Sequence, residues 1–159
     1  MLIPILISQS LNVGVNAMGS SKEHITLDGN LGYSREQMPQ IHPAMVGHYI
    51  LWLMNYGFEV SGIHEVPVEN VLPTQDKINR LRLQKKVALG AEDPTNLKTL
   101  ILAKGGHQLD GHNTVQALKE LGQPRLRLPC YRVRASMDRV IEATKHYPFV
   151  TYKSIDQID

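Results

Sequence analysis

Apolar positions follow three periodicities along the chain, and each predicts a different kind of element. Val115, Leu118 and Leu121 recur every third residue with Ala117 beside them. Gln116, Lys119 and Glu120 fall on the opposite face, and Gly122 with Pro124 closes the stretch, so this segment predicts an amphipathic helix. A second stripe, Val46, Ile50, Leu53 and Met54 flanked by Tyr49 and Trp52, predicts a core-facing helix over residues 43–57. Residues 76–89 predict a basic helix with Thr74 or Gln75 at its entry, and residues 136–145 a last helix opened by a Ser cap with Asp138 in its first turn. Period-two alternation of charged and apolar residues over 124–134 predicts a strand buried on one face, with Arg125, Arg127 and Arg132 or Arg134 on the other. The unbroken apolar run at 99–103 predicts an interior strand. Gly105-Gly106 then supplies a turn, and Gln108-Leu109 returns as a brief second strand ending at Asp110. Further strands are predicted at 59–64 and at 24–28, the latter turning at Asp28-Gly29-Asn30. The sum is an α/β (α+β) chain with a small mixed sheet flanked by helices. Residues 33–146 form the expected domain, 1–32 an amino-terminal arm or edge strand, and 147–159 a tail whose Phe149-Val150-Thr151-Tyr152 run is expected to dock.

Composition narrows the picture only a little. The chain has 159 residues and a net charge of +2, which permits a polyanionic partner without requiring one. Cys130 is the single cysteine, so an intrachain disulfide framework and a thiolate metal site are excluded and a reducing cytoplasm is expected. The apolar run at 2–7 is too short to span a bilayer and has no basic flank. Its Pro4 confines it to an edge strand or an arm, and such an arm is an expected homo-oligomer contact rather than a membrane anchor.

The candidate chemistry gathers where the predicted helix after Asp110 begins. First-turn amides have no acceptor within a helix and sit at the positive end of its dipole, so the N–H groups of Gly111, His112, Asn113 and Thr114 suit a phosphate. Gly111 would admit that phosphate closely. Asp110 reads either as an N-cap bonding the amides of His112 or Asn113, or as a carboxylate that takes a proton or a metal ion. His112 reads as a phosphate donor, an acid/base group or a structural residue. In the polar stretch 33–41, Arg35 is a candidate phosphate clamp, Gln40 a base or ribose contact, and Glu36 a candidate base; the alternative is a solvated connector. Thr74 and Gln75 are cap or ligand candidates. Arg80, Arg82, Lys85 and Lys86 place four positive charges within seven residues, a face for nucleic acid or simply a solvated one.

The order of these parts carries a resemblance. Val66-Pro67-Val68-Glu69-Asn70-Val71-Leu72-Pro73-Thr74-Gln75, a basic helix, Ile101-Leu102 through Gly111-His112 with its helix, and Arg127-Leu128-Pro129-Cys130-Tyr131 together resemble the ParB/sulfiredoxin superfamily over roughly residues 58–135. The segment Ser34-Arg35 to Met38-Pro39-Gln40-Ile41 and the sequence Asp110-Gly111-His112-Asn113 are similar to phage-encoded ParB-like proteins. The resemblance implies a fold in which a strand and a Pro/Gln-containing box precede a hairpin ending in glycine, with nucleotide phosphates at the amino terminus of the next helix. Where sulfiredoxins carry a reactive Cys this chain has His112, which argues against sulfinic acid reduction. Where chromosome-partitioning ParB proteins carry arginines it has Asn113 and Thr114, and the residues left are too few for their helix-turn-helix domain. The free serine kinases of the same fold use an acidic base, a role open to Asp110 or Glu36.

Three functions are therefore expected to compete. One is a phage-type protein that binds ATP or CTP with Mg²⁺ and hydrolyses it or transfers phosphate, with Asp110 as metal ligand. Another is a ParB-like nuclease or DNA-binding protein in which the basic helix with Arg125, Arg127 and Arg132 tracks a phosphate backbone and a metal-assisted cut would again need Asp110. The third is a non-enzymatic virion or assembly component. The first requires Arg35, Gln40, Thr74, Gln75, Asp110, Gly111, His112 and Asn113 to converge on one pocket from three separated segments.

Overall fold

Strand β4 (Leu100–Leu102) has no polar side chain, and each of its three residues is buried. A strand apolar on both faces needs cover on both, and the chain supplies it. The computed structural model describes residues 23–90 and 99–157, so the predicted arm at 2–7 lies outside the described residues. Within them the protein is a mixed α/β fold. A three-stranded sheet of order β2-β5-β4 pairs β2 (Val60–Pro67) antiparallel to β5 (Arg127–Val133), and β5 parallel to β4. On its free side β4 meets the returning segment through a bridge from Leu102 to Gln108, with the Leu109 amide donating to Ile101 O at 2.9 Å. β4 is thus an interior strand with a partner on each side.

Alternation along β4 and β5 sorts the core into two layers. Ile101 and Val133 face helices α1 (Val46–Tyr56) and α4 (Met137–Thr144), where they pack with Tyr49, Leu53, Val140 and Ile141. Leu100, Leu102, Leu128 and Cys130 face the opposite way, against Val115 and Leu118 of α3 (His112–Glu120). Each such aliphatic side chain withdrawn from water contributes roughly 1.5–3 kcal/mol. A two-stranded antiparallel ribbon, β1 (His24–Thr26) with β3 (Lys77–Asn79), joins α2 (Arg80–Gly90) in a small cluster of Leu27, Ile78, Leu83 and Ala117.

Three expectations change. The strand expected to be half-buried is the central one: Leu128 and Cys130 fill one side and Val133 the other, so its arginines sit at its ends instead of lining a face. Residues 77–79, expected to be helical, form β3 because Ile78 is drawn into the core opposite Ile25, and Asn79 then starts the helix by accepting the amides of Leu81 and Arg82 at 2.9 and 3.1 Å. On α1, Tyr49 takes the core position assigned to Met54, which is 49% exposed. No helix of the described residues is long and apolar enough to cross a membrane.

Candidate functional site

Buried polar side chains are costly unless hydrogen-bonded, so their distribution marks where the chain spends stability on chemistry or specificity. Arg35, Thr74, Gln75, Asn79, Gln108, Asp110, His112 and Asn113 are all buried. Three separated segments meet among them. The Tyr33 and Leu31 amides donate to Thr74 O at 3.4 and 3.2 Å, and the Asp76 amide donates back to Tyr33 O at 2.7 Å. Leu72 and the 106–108 turn exchange two bonds, Leu72 N–H to Gly106 O and Gln108 N–H to Leu72 O, both 2.9 Å. The Thr74 hydroxyl donates to Gln108 O at 2.7 Å, and Gln108 Nε2 donates to Asp110 O at 2.8 Å.

His112 is the hub of this polar knot. Its Nε2 accepts the amides of Thr74 and Gln75 at 3.0 and 3.1 Å. An imidazole accepting through Nε2 must be neutral with its proton on Nδ1. Burial favours the same form, pulling the pKa from 6.5 down to about 3. His112 therefore holds the 74–75 corner against the start of α3, and at neutral pH it has no proton on Nε2 to donate. Nε2 is thus committed to the structural role, and Nδ1–H is the only donor of the ring.

Asp110 is buried, and its Oδ2 accepts the Ile41 amide at 3.4 Å, tying the 33–41 segment to the start of α3. Asp110 is not the N-cap residue: that position is Gly111, and among the described residues no side-chain cap bond is made there. Gly111 has φ +80°, a region where a Cβ is strained. A Cβ there would meet Leu100 Cδ2 at 3.5 Å, an ordinary contact, so what demands glycine at this position within the protein is the backbone conformation. Asn113 lies in the first turn, 6% exposed, and its Oδ1 has no hydrogen-bond partner. Thr114, half-buried, completes that turn.

Several of the other expected site residues have partners of their own. Arg35 is buried, and its Nη1 donates to Ser154 O at 2.6 Å and Gln157 O at 3.4 Å. Glu36 Oε2 accepts the Ile155 amide at 2.8 Å, which lowers its pKa. Both side chains thus bind the carboxy-terminal segment. Gln40 bridges Thr151, one residue before the contact to Asp110. Gln75 Nε2 donates to Lys77 O at 2.6 Å. Of the basic candidates, Arg80 pairs with Glu23 at 3.3 Å, Arg82 is half-buried, and Lys85 and Lys86 are exposed on α2. Arg125 is exposed before β5, and Arg127 lies 3.5 Å from Glu65.

Two further residues belong to this region without a motif to announce them, Gln108 and Lys119. Gln108 is buried in a strand-like position, where a polar residue amid apolar neighbours was the available signal. Lys119 stands seven residues after His112 on the same side of α3, and the two line a cavity of about 190 Å³ with Asp28, Pro73 and Gln116. Burial lowers the Lys119 pKa while Asp28 raises it. The cavity is smaller than the roughly 300 Å³ at which small-molecule pockets begin.

Among the described residues no three His, Cys, Asp or Glu side chains gather as a metal site. Asp110 offers one carboxylate, which fits Mg²⁺ held mainly by phosphate oxygens and water and not by a protein cage. No protein-family model matches the chain, and no curated protein matches it.

Proposed function

We propose that the protein binds a nucleoside triphosphate, ATP or CTP, with its phosphates at the amino terminus of α3, for hydrolysis or phosphate transfer in the manner of phage ParB-like proteins. One observation carries this reading. α3 begins without a side-chain cap, and in its first turn Asn113 presents a buried Oδ1 that has no partner. Uncapped amides at the positive end of a helix dipole favour an anion, and a buried amide side chain without a partner costs stability until something bonds it. The Asn113 oxygen is an acceptor and suits a ligand hydroxyl, while the amides of His112, Asn113 and Thr114 suit phosphate oxygens. Mg²⁺, where bound, would neutralise phosphate charge beside Asp110. Asp110 is the carboxylate of the knot, and so the group that takes a proton from an attacking water or hydroxyl.

Thermal unfolding with ATP, CTP and Mg²⁺ tests the reading. A saturating nucleotide stabilises by about 2–4 kcal/mol through linkage. Asn113→Asp places a like charge beside the phosphates and removes most of that gain, whereas Arg125→Gln with Arg127→Gln leaves it. No stabilisation of the parent by either nucleotide, or an unchanged response in Asn113→Asp, overturns the proposal. Loss of salt-dependent duplex affinity in the arginine variant would favour the DNA-binding alternative instead.

A further inference from the structure

A cleft of about 700 Å³ lies where β2 begins and β4 and β5 end, and none of its lining belongs to α3. Its floor is apolar, formed by Met54, Phe58, Val60 and Ala103, and Lys104, Arg132 and Arg134 stand around it. Lys104 and Arg132 are exposed and make no ion pair within 4.0 Å among the described residues. Arg134 has Glu59 at 3.7 Å, but both side chains are about three-quarters exposed, at 75% and 78%, where such a contact is worth little. A second hollow of about 450 Å³ shares Phe58 and adds Tyr56, His146 and Arg139. Tyr56 is 51% exposed and lies nearly parallel to both Phe58 and His146, at 14° and 13°. The carboxylates here are engaged: Asp138 accepts the Tyr33 hydroxyl, and Glu142 holds Lys145 Nζ at 2.8 Å.

Two cations without an ion pair among the described residues, Lys104 and Arg132, and a third, Arg134, loosely held by Glu59 of the same cleft, stand around an apolar floor continued by an exposed aromatic ring. Together they combine the two elements of a single-strand binding surface, charge for the phosphates and a face for the bases. A duplex hides its bases and has no use for the floor. A mononucleotide would engage one hollow and leave the other empty. We propose that this face binds single-stranded nucleic acid, its phosphates tracking Lys104, Arg132 and Arg134 and a base stacking on Tyr56. The surface is separate from the start of α3 and stands or falls independently of nucleotide binding there.

Fluorescence anisotropy with a labelled oligothymidylate, read from low to moderate salt, tests it. The parent should bind with an affinity that falls as salt rises. Lys104→Gln with Arg132→Gln and Arg134→Gln should weaken binding at least tenfold and flatten the log–log salt slope by about 2, roughly 0.7 per charge removed. Tyr56→Ala should also weaken binding, by about tenfold, but leave the slope unchanged, because stacking releases no counterions. Circular dichroism verifies that each variant is folded, and the salt slope of the parent needs no variant. The proposal fails if the parent shows no salt-dependent binding, or if the triple variant keeps the parent's affinity and slope. It also fails if a duplex binds equally well through the same residues, or if thymidine monophosphate displaces the oligomer at equal concentration.

Discussion

Helices α3 and α4 start in opposite ways. α4 is self-sufficient: Ser136 Oγ accepts the Arg139 amide at 3.4 Å, Asp138 stands in its first turn, and an apolar stripe of Met137, Val140 and Ile141 faces the core. α2 is likewise capped, by Asn79, and α1 is led in by a short turn whose first amides include one held by His42 Nδ1. Among the described helices α3 alone begins on a glycine with no cap in itself or its lead-in, and it buries His112 and Asn113 in its first turn. A helix that only packs needs neither arrangement. The difference teaches that the start of α3 is organised around polar contacts, with His112 holding the 74–75 corner, where α4 is organised around burial.

The sharpest way to break that comparison is at the hub. His112→Ala leaves the Thr74 and Gln75 amides buried without an acceptor and opens a void, at a cost of about 3–5 kcal/mol. Urea unfolding should record it, and a loss below about 1 kcal/mol would mean that the knot does not depend on His112.

The pH profile comes next. The folded-state pKa of His112 is depressed to about 3 from 6.5, so between these values the unfolded chain binds the extra proton. The stability held by neutral His112 is fully present above about pH 6.5 and is lost as pH falls toward 3. The parent should lose roughly 2–3 kcal/mol more than His112→Gln between about pH 7 and pH 4.5, since each unit below 6.5 costs about 1.4 kcal/mol. Parallel profiles for the two proteins would refute the buried neutral imidazole.

Gly111→Val should cost about 1–2 kcal/mol through its positive φ, whereas Gly111→Asn, which tolerates that region, should cost less. Equal losses for the two would point to crowding rather than conformation. The smallest effect belongs to the helix that caps itself. Ser136→Ala should destabilise by about 1 kcal/mol whether or not a nucleotide is present. If nucleotide altered that figure, the two helix starts would not be independent.

Much of this contrast was readable in the residues themselves. Helix and strand periods located α1, α3, α4, β4 and β5, because the side-chain repeat of an amphipathic or buried element is written in the chain. The Ser136 cap and the glycine before α3 were equally local. Thr74, Gln75, Asp110, Gly111, His112 and Asn113 stand out in the sequence together with Arg35 and Gln40, since polar residues beside a glycine turn and a helix start are conspicuous there. What each of them does was not readable. Whether His112 is charged depends on its burial and on two amides contributed by residues 74 and 75, and the Asp110 carboxylate accepts the Ile41 amide. Arg35 looked like a phosphate clamp and instead holds the carbonyls of Ser154 and Gln157, more than a hundred residues away. β3 was hidden by the helix that follows it, because its partner at 24–26 lies some fifty residues earlier. The sequence by itself determined which segments could bury a face, since that is a periodicity along one strand or helix. Only the tertiary structure decided the partner, protonation and accessibility of each polar group, because hydrogen bonding and desolvation depend on neighbours that the chain brings together from far apart.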